Sequence, residues 1–237
     1  MTEIIGKISS EESMGLVDGP GIRYVVFLQG CKLRCLYCHN PETWSVTGES
    51  YTITPQKLIQ KICRYKSYFG KEGGVTFSGG EPLLQPEFLT ECLKLCKQQN
   101  IHTALDTSGV GFGEYEELLE FVDLVILDVK ATDENEYKKL TGQNISHFYK
   151  FLEACQRNNK KLWLRQVIVP GINDTKQNIV SLKKFVENIK NVEKIELLPY
   201  KSFGSVKYKN LKIKERLQGV PEMDEKTCKQ LEKLLKD

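Results

Sequence analysis

Three cysteines stand close together in one short segment, Gly30–Asn40. Cys31, Cys35 and Cys38 follow the spacing C-x3-C-x2-C, directly after an apolar stretch that predicts a strand. Thiolates are soft ligands that suit iron–sulfur clusters, zinc and copper(I). A complete ferredoxin-type cluster takes four cysteines, so three from one loop would leave one iron open to another ligand. The spacing therefore favours an iron–sulfur cluster.

A structural zinc site of three cysteines and one histidine is an alternative, with His39 as the fourth ligand. His39 is adjacent to Cys38, and neighbouring residues rarely both reach one tetrahedral ion. Structural zinc sites also usually take their ligands as two separated pairs. The residues alone leave zinc, and a loop that binds no metal, open as less favoured alternatives.

A Gly-Gly turn ends a second predicted strand, in the segment Val75–Pro82. Gly79 and Gly80 would let a ligand approach the backbone closely, and carbonyls freed at a strand end can accept from an ammonium group. Glu81 adds a negative charge beside them. Taken alone, a tight turn before a helix explains the same residues.

Apolar runs rich in β-branched residues alternate with amphipathic helical stretches along the chain. This alternation predicts a parallel sheet with right-handed crossovers. Six strand–helix units predict an α/β fold, a partial (β/α)6 barrel of the TIM type with mostly parallel strands; an open doubly wound sheet is the alternative. The predicted strands are Tyr24–Leu28, Val75–Ser78, His102–Thr107, Leu124–Val129, Leu162–Val169 and Lys194–Leu198. The predicted helices are Pro55–Phe69, Pro86–Gln99, Tyr115–Phe121, Ile145–Asn158, Lys176–Asn188 and Asp224–Leu235.

Both folds place their functional site at the carboxyl ends of the strands. Asp106 and Asp128 stand at two of these ends, and Lys130 follows Asp128 with one residue between them. Residues at that spacing on a strand share a face. We therefore expect these side chains to collect around the same opening as the cysteine loop.

Size and composition narrow the class of protein. The chain has 237 residues and a net charge of +3, which predicts a single domain over residues 1–237 and no binding to nucleic acid. No stretch approaches the ~20 apolar residues that a membrane helix needs, and the N-terminus lacks a signal-peptide pattern, so we expect a cytoplasmic protein that does not bind membranes. Disulfides are rare in the cytosol. The remaining cysteines are therefore predicted to be packing residues: Cys63, Cys92, Cys96, Cys155 and Cys228.

The cysteine spacing, with the aromatic Tyr37 before the last cysteine, resembles the radical S-adenosylmethionine superfamily. This resemblance implies a 4Fe-4S cluster on Cys31, Cys35 and Cys38, with S-adenosylmethionine chelating the open iron through its amino and carboxylate groups. The Gly79–Glu81 turn resembles the motif that binds the amino group of S-adenosylmethionine in the same superfamily.

The segment Val17–Arg23 contains Asp-Gly-Pro-Gly-Ile-Arg, which resembles the signature of glycyl-radical-enzyme activases. The similarity covers nearly the whole chain and is closest to the activases of pyruvate formate-lyase, because the chain lacks an inserted cysteine-rich module after Cys38. The implied activity is reductive cleavage of S-adenosylmethionine and abstraction of a glycine Cα hydrogen from pyruvate formate-lyase. The implied electron donor is a flavodoxin or ferredoxin, and the implied state is a monomer.

The resemblance also assigns residues. It implies a monovalent cation at Asp106 and Asp128, and contact with the partner's glycyl loop at Asp18 and Arg23. Lys201 departs from the family, which usually has a histidine there, and so leaves open another glycyl radical enzyme or a small molecule as the substrate. The positions assigned to S-adenosylmethionine are Tyr37, Cys38, His39, Gly79, Gly80, Glu81, Asp128, Val129, Lys130 and Lys201.

A basic segment, Lys201–Arg216, has no strong periodicity. A solvated loop is the default interpretation of such a segment. The alternative is a surface on which an acidic electron donor or the partner enzyme docks.

Overall fold

One sheet of eight strands organises the chain in the computed structural model, which describes residues 3–236. Six strands form its parallel part, and two more extend it beyond the first of these. The strands are β1 Gly6–Gly15, β2 Arg23–Leu28, β3 Tyr51–Ile53, β4 Gly74–Gly79, β5 His102–Thr107, β6 Leu124–Asp128, β7 Lys161–Ile168 and β8 Val192–Pro199.

The strand order is β3-β1-β2-β4-β5-β6-β7-β8. From β2 to β8 every neighbouring pair is parallel, whereas β1 runs antiparallel to both β2 and β3. The register sets Phe27 beside Ser78 and Asp128 beside Arg165, so the carboxyl ends lie along one edge. The prediction of a partial barrel with mostly parallel strands is confirmed, and the sheet is not closed.

The two antiparallel strands were not predicted. Strand β1 alternates buried and more exposed residues, and Ile8 is its one fully buried large apolar side chain. An antiparallel edge ribbon with one solvated face needs only a weak apolar pattern. Strand β3 has three residues, which is too short for a periodic signal.

The helices alternate with the strands along the chain, and the residues at their ends explain where they begin and stop. The Thr54 and Thr175 hydroxyls accept from backbone N–H groups in the first turns of α1 and α6. Asn100, Asn159 and Asn191 take left-handed conformations where the chain turns from a helix into the next strand. The helices are α1 Pro55–Cys63, α2 Pro86–Gln98, α3 Glu116–Glu120, α4 Glu134–Thr141, α5 Ser146–Arg157, α6 Lys176–Glu187, α7 Ser205–Asn210 and α8 Glu225–Lys236.

One predicted helix needs correction, and two helices were missed. The helix predicted over Pro55–Phe69 ends at Cys63, and a separate 3-10 turn follows at Lys66–Tyr68. Helices α4 and α7 were not predicted. Helix α4 buries Tyr137 and Leu140 but is otherwise polar, and α7 has only six residues.

The two faces of the sheet differ in chemistry. One face carries apolar residues such as Phe77, Leu105 and Val125, which join the main core with the helices. The other face holds a small separate apolar cluster around Ile126, and polar side chains surround that cluster. Because strand residues alternate between faces, the polar side chains at the carboxyl ends point to the second face.

Within the described part of the chain, no helix has the length and apolar character needed to cross a bilayer.

Phe77 is fully buried on the central strand β4, which makes it a test of the main core. Phe77→Ala should lower the free energy of unfolding by about 3–5 kcal/mol, because it removes a large side chain and leaves a cavity. Urea unfolding followed by circular dichroism measures the loss. Leu16 is 72% exposed, so Leu16→Ala is the control and should change stability by less than ~0.5 kcal/mol. Equal effects of the two variants would contradict the assigned core.

Candidate active site

A cavity of about 260 Å³ opens at the carboxyl ends of the parallel strands. The cysteine loop forms one wall, with all three of its cysteines. Strands β4, β5 and β6 contribute the opposite wall through Ser78, Asp106 and Asp128. The residues that the sequence placed at separate strand ends therefore meet around one opening, as expected for this fold.

Backbone hydrogen bonds hold the cysteine loop at both ends. Cys31 donates its N–H to the Trp44 carbonyl at 3.2 Å. Farther along the loop, Arg34 and Leu36 donate to the carbonyls of Thr141 and Leu140 at the end of α4. The loop is thus held between the chain that follows it and a helix more than 100 positions away, which fixes the direction of its thiols.

The three thiols are largely withdrawn from water. Burial raises the pKa of each of them, that of Cys35 to about 11. The Trp44 indole N–H donates to the Cys38 sulfur and opposes the shift there. Thiols in this state are protonated at neutral pH, so a metal that binds them must displace their protons.

The zinc alternative has little support in the geometry. The His39 ring donates through Nε2 to the Lys201 carbonyl at 2.8 Å, so this nitrogen is already engaged. Among residues 3–236, no three His, Cys, Asp or Glu side chains converge closely enough to hold a single ion. Three thiolates of a cubane each bind a different iron and need not converge on one point.

The Gly-Gly turn lies directly against the cysteine loop. A Cβ on Gly79 would stand 2.3 Å from the Leu28 nitrogen, and one on Gly80 would stand 2.3 Å from the Gly30 carbonyl oxygen. Gly79 also has a φ of +116°, a backbone conformation that residues with a side chain rarely adopt. Gly79 is therefore required for close contact with the end of β2, and Gly80 for close contact with the start of the cysteine loop.

The Glu81 carboxylate points away from the cavity into the protein. It accepts from the Thr107 hydroxyl at 2.5 Å, from the Ser108 N–H at 2.9 Å and hydroxyl at 2.5 Å, and from the Leu83 N–H at 3.1 Å. Burial raises the pKa of Glu81 even though these hydrogen bonds oppose the shift. Glu81 thus joins the end of β4 to the end of β5, and it does not line the cavity.

Two carboxylates and an ammonium group form the charged wall of the cavity. Lys130 donates to Asp128 at 2.6 Å, and its Nζ lies 5.5 Å from the centre of the Tyr37 ring. Burial alone would lower the pKa of Lys130, but the charge of Asp128 raises it. Asp106 accepts from the Ser78 hydroxyl at 2.9 Å, and burial together with the charge of Asp128 raises its pKa. This wall can bind a cation or the polar groups of a zwitterion.

Arg165 was not among the predicted site residues, yet it lines the cavity. Its Nη2 donates to the Val17 carbonyl at 2.7 Å, and its Nε lies 3.4 Å from a carboxylate oxygen of Glu196. The signal was present in the sequence, because Arg165 shares the second face of β7 with Trp163 and Val167 by alternation. It was missed because it stands three residues before the end of β7, whereas the site residues were expected at the strand ends.

Asp18 and Arg23 lie beside the second face, below the cavity. Arg23 is fully buried, and its Nε donates to the Thr76 hydroxyl, which in turn donates to the Asp18 carbonyl at 2.7 Å. Another guanidinium nitrogen lies 3.2 Å from His102 Nδ1. Burial raises the pKa of Asp18, although the charge of nearby Arg165 opposes this shift. Arg23 therefore shapes the loop that carries Asp18, and its predicted contact with a partner stays a prediction.

Two further predicted positions lie outside the cavity wall. The Lys201 ammonium pairs with Glu225 at 3.3 Å and Glu222 at 3.6 Å, and only its carbonyl reaches His39. The Val129 side chain is buried in the main core, and its N–H donates to the Arg165 carbonyl. Their roles toward S-adenosylmethionine stay predictions.

Comparison with known proteins agrees with the sequence motifs. Residues 25–183 match the family model described as the radical SAM superfamily. The chain is 53% identical over 235 residues to the pyruvate formate-lyase-activating enzyme of Clostridium pasteurianum, which covers 99% of this chain and 98% of that protein. It is 43% identical over 233 residues to the enzyme of the same name from Staphylococcus epidermidis, covering 95% and 93%.

Solved structures share the fold. A domain of the pyruvate-formate lyase-activating enzyme from Bacteroides vulgatus superposes with a TM-score of 0.57 at 27% identity, covering 70% of this chain and 94% of that one. QueE from Escherichia coli superposes with a TM-score of 0.56 at 16% identity, covering 82% and 84%. The second likeness concerns the fold alone.

The buried Glu81 carboxylate gives a test of how the turn is held. In Glu81→Gln, the amide nitrogen must face the N–H of either Leu83 or Ser108, and two donors cannot pair. We expect a loss of about 1–3 kcal/mol in the free energy of unfolding, measured by urea denaturation. The exposed Glu114 provides the control Glu114→Gln, which should leave stability nearly unchanged. A Glu81→Gln protein as stable as that control would rule out the four-donor arrangement.

His102 gives a test that depends on pH. Burial and the charge of Arg23 lower its pKa, because the ring must accept from the guanidinium in the folded state. Protonation thus favours the unfolded chain, and stability should fall as the pH drops below the ordinary histidine value of about 6.5. His102→Gln should lose less stability than the wild type between pH 7.5 and 5.5, measured by thermal unfolding. The exposed His147→Gln control should follow the wild type; identical pH profiles for all three proteins would refute the buried contact.

Proposed function

The chain belongs to the radical SAM superfamily and, within it, to the family of the pyruvate formate-lyase-activating enzymes, and from this membership we propose that it activates pyruvate formate-lyase. The observation that carries the proposal is the meeting of three thiols, the Gly-Gly turn and the Asp128–Lys130 pair around one cavity, in a chain 53% identical to such an enzyme along almost its whole length. The family implies a 4Fe-4S cluster and S-adenosylmethionine.

The residues of the cavity fit these groups. Three buried thiols on one loop are soft donors of the kind that an iron–sulfur cluster takes. A buried ammonium and two carboxylates lie across from them, and they match the mixed charge of the methionine part of S-adenosylmethionine. When bound, the cluster and S-adenosylmethionine supply the one-electron cleavage that leads to removal of a glycine Cα hydrogen from the partner.

Each group in the chain then has a proposed role. Cys31, Cys35 and Cys38 hold the cluster. The backbone of Gly79 and Gly80 receives the amino group of S-adenosylmethionine. Asp128 and Lys130 position its polar atoms, and Tyr37 and His39 line the wall beside them.

The electrostatics of the cavity support a further proposed site. Burial and the charge of Asp128 raise the pKa of Asp106, so a monovalent cation near the two carboxylates would favour the ionised form of Asp106. Asp18, which lies near Arg165 on the same face, is the group that we propose meets the glycyl loop of the partner. The buried Arg23 holds the backbone around Asp18 in place through the Thr76 hydroxyl.

The finer parts of the proposal concern the setting of the enzyme. We take residues 1–237 as one radical S-adenosylmethionine domain that works as a monomer. A flavodoxin or ferredoxin supplies the electron. None of the eight cysteines, all of which lie within the described residues, forms a disulfide, which suits the reducing cytoplasm that we propose as the location.

The activity can be tested directly under anaerobic conditions. The chain, reconstituted with iron and sulfide, should give a reducible 4Fe-4S signal and should form 5′-deoxyadenosine from S-adenosylmethionine with dithionite. Mixed with pyruvate formate-lyase, it should produce a glycyl radical doublet in electron paramagnetic resonance. Formation of 5′-deoxyadenosine without a glycine radical on pyruvate formate-lyase would sink the proposed target and favour another substrate.

Cys35→Ala should abolish both the cluster signal and 5′-deoxyadenosine, because one iron would lose its thiolate. The matched control is Cys63→Ala, since Cys63 is a partly buried thiol at the end of α1, away from the cavity. That control should keep both signals. A Cys35→Ala protein that retains a normal cluster would show that the three-cysteine assignment is wrong.

A further inference from the structure

The basic segment Lys201–Arg216 includes helix α7 and carries six basic side chains and one acidic one. Its net charge of +5 exceeds the +3 of the whole chain, so the remainder of the protein is net negative. The single acid, Glu215, accepts from the Ser205 hydroxyl at 2.7 Å within the segment. The positive charge of the protein is therefore concentrated on this surface.

The basic segment lies on the outside of the cysteine loop. Gly204 approaches the loop so closely that a Cβ there would stand 2.8 Å from the Cys38 carbonyl oxygen. Lys207 donates to the Asn40 side chain at 2.8 Å, and the buried Tyr208 ring packs edge-on against Trp44 with 5.8 Å between ring centres. The Trp44 indole in turn donates to the Cys38 sulfur. A contiguous path of packed aromatic rings thus leads from this surface to one of the three thiols.

The outermost side chains of the basic segment are free to meet another molecule. Lys209, Lys212 and Lys214 are exposed, and none of them enters an ion pair among the described residues. Phe203 and Val206 lie in the same segment and are 72% and 68% exposed. Apolar side chains of this size beside unpaired charges are typical of a surface that binds a protein.

This surface is separate from the place where a substrate enters. Lys209, Lys212 and Lys214 do not line the cavity, and Gly204 of the same segment packs against the cysteine loop. The Asp18 loop lies on the second face of the sheet, where Thr76 and Arg165 fix its backbone. A partner bound at the basic segment would therefore approach the cysteine loop at Cys38 without occupying the cavity.

We propose that the basic segment Lys201–Arg216 is the docking surface for an acidic one-electron carrier protein, which delivers its electron at the Cys38 side of the loop. The proposal rests on the proposed function, because it presumes a cluster on the three thiols. In this step the reduced carrier loses one electron and the cluster gains it, and no bond forms or breaks. Opposite charges speed such encounters and make them sensitive to salt.

The test compares two triple variants that lose the same charge. Lys209→Gln, Lys212→Gln and Lys214→Gln together remove the proposed contacts. Lys226→Gln, Lys229→Gln and Lys233→Gln together remove three exposed lysines of α8, which packs on α6 and β8 instead. The probe is a flavodoxin with its flavin bound, and its Kd for the reconstituted full chain is measured by titration calorimetry at low and high salt.

We expect the first triple variant to raise the Kd about tenfold at low salt, since steering by clustered charge changes encounter rates by 10-fold or more. The α8 variant should stay within about twofold of the wild type, and the difference should shrink at high salt. Dithionite reduces the cluster without docking, so the two triple variants should form 5′-deoxyadenosine at equal rates with it.

Equal Kd values for the two triple variants would overturn the proposal. So would a loss of affinity in the first variant for pyruvate formate-lyase in place of flavodoxin, because the surface would then belong to the partner enzyme. Failure of the proposed function has a different signature, the absence of a glycine radical in the wild type with dithionite. The two failures are therefore distinguishable.

Discussion

The site depends on one buried carboxylate. Glu81 accepts four hydrogen bonds from the ends of β4 and β5, while its own N–H donates to the Gly30 carbonyl at the start of the cysteine loop. Three segments that are far apart in sequence are thereby fixed relative to one another. The glycines before Glu81 make this possible, since a side chain on Gly79 would clash with the end of β2 and one on Gly80 with the start of the cysteine loop.

The electrostatics of the cavity follow from that close packing. Burial keeps the thiols protonated, opposes ionisation of Asp106 and leaves Lys130 dependent on Asp128 for its charge. The ionised form of each group is costly to bury alone, and a bound ligand of opposite charge offsets that cost. The arrangement is thus suited to a bound cluster and a zwitterionic sulfonium together, as the family membership implies.

Much of this was predictable from the sequence, for local reasons. The spacing of the cysteines, the Gly-Gly turn and the six parallel strands each follow from patterns within a few residues, and the structure brings them together as expected. The role of Glu81 was not predictable, because its donors lie 26 and 27 positions away on another strand. Arg165 was missed because site residues were sought at the strand ends and it stands inside β7, and β1 was missed because a solvated edge strand needs little apolar pattern.

The position of the cysteine loop has a kinetic consequence. The loop contributes its three thiols to the cavity wall, and Gly204, just before α7, packs against its Cys38 carbonyl. With the electron carrier docked at the basic segment, as we propose, electrons and substrate would approach the cysteine loop from different sides and need not wait for each other. A docked electron carrier would not have to leave before the partner enzyme binds. Reduction of the cluster and binding of the partner enzyme would then not compete for the same surface.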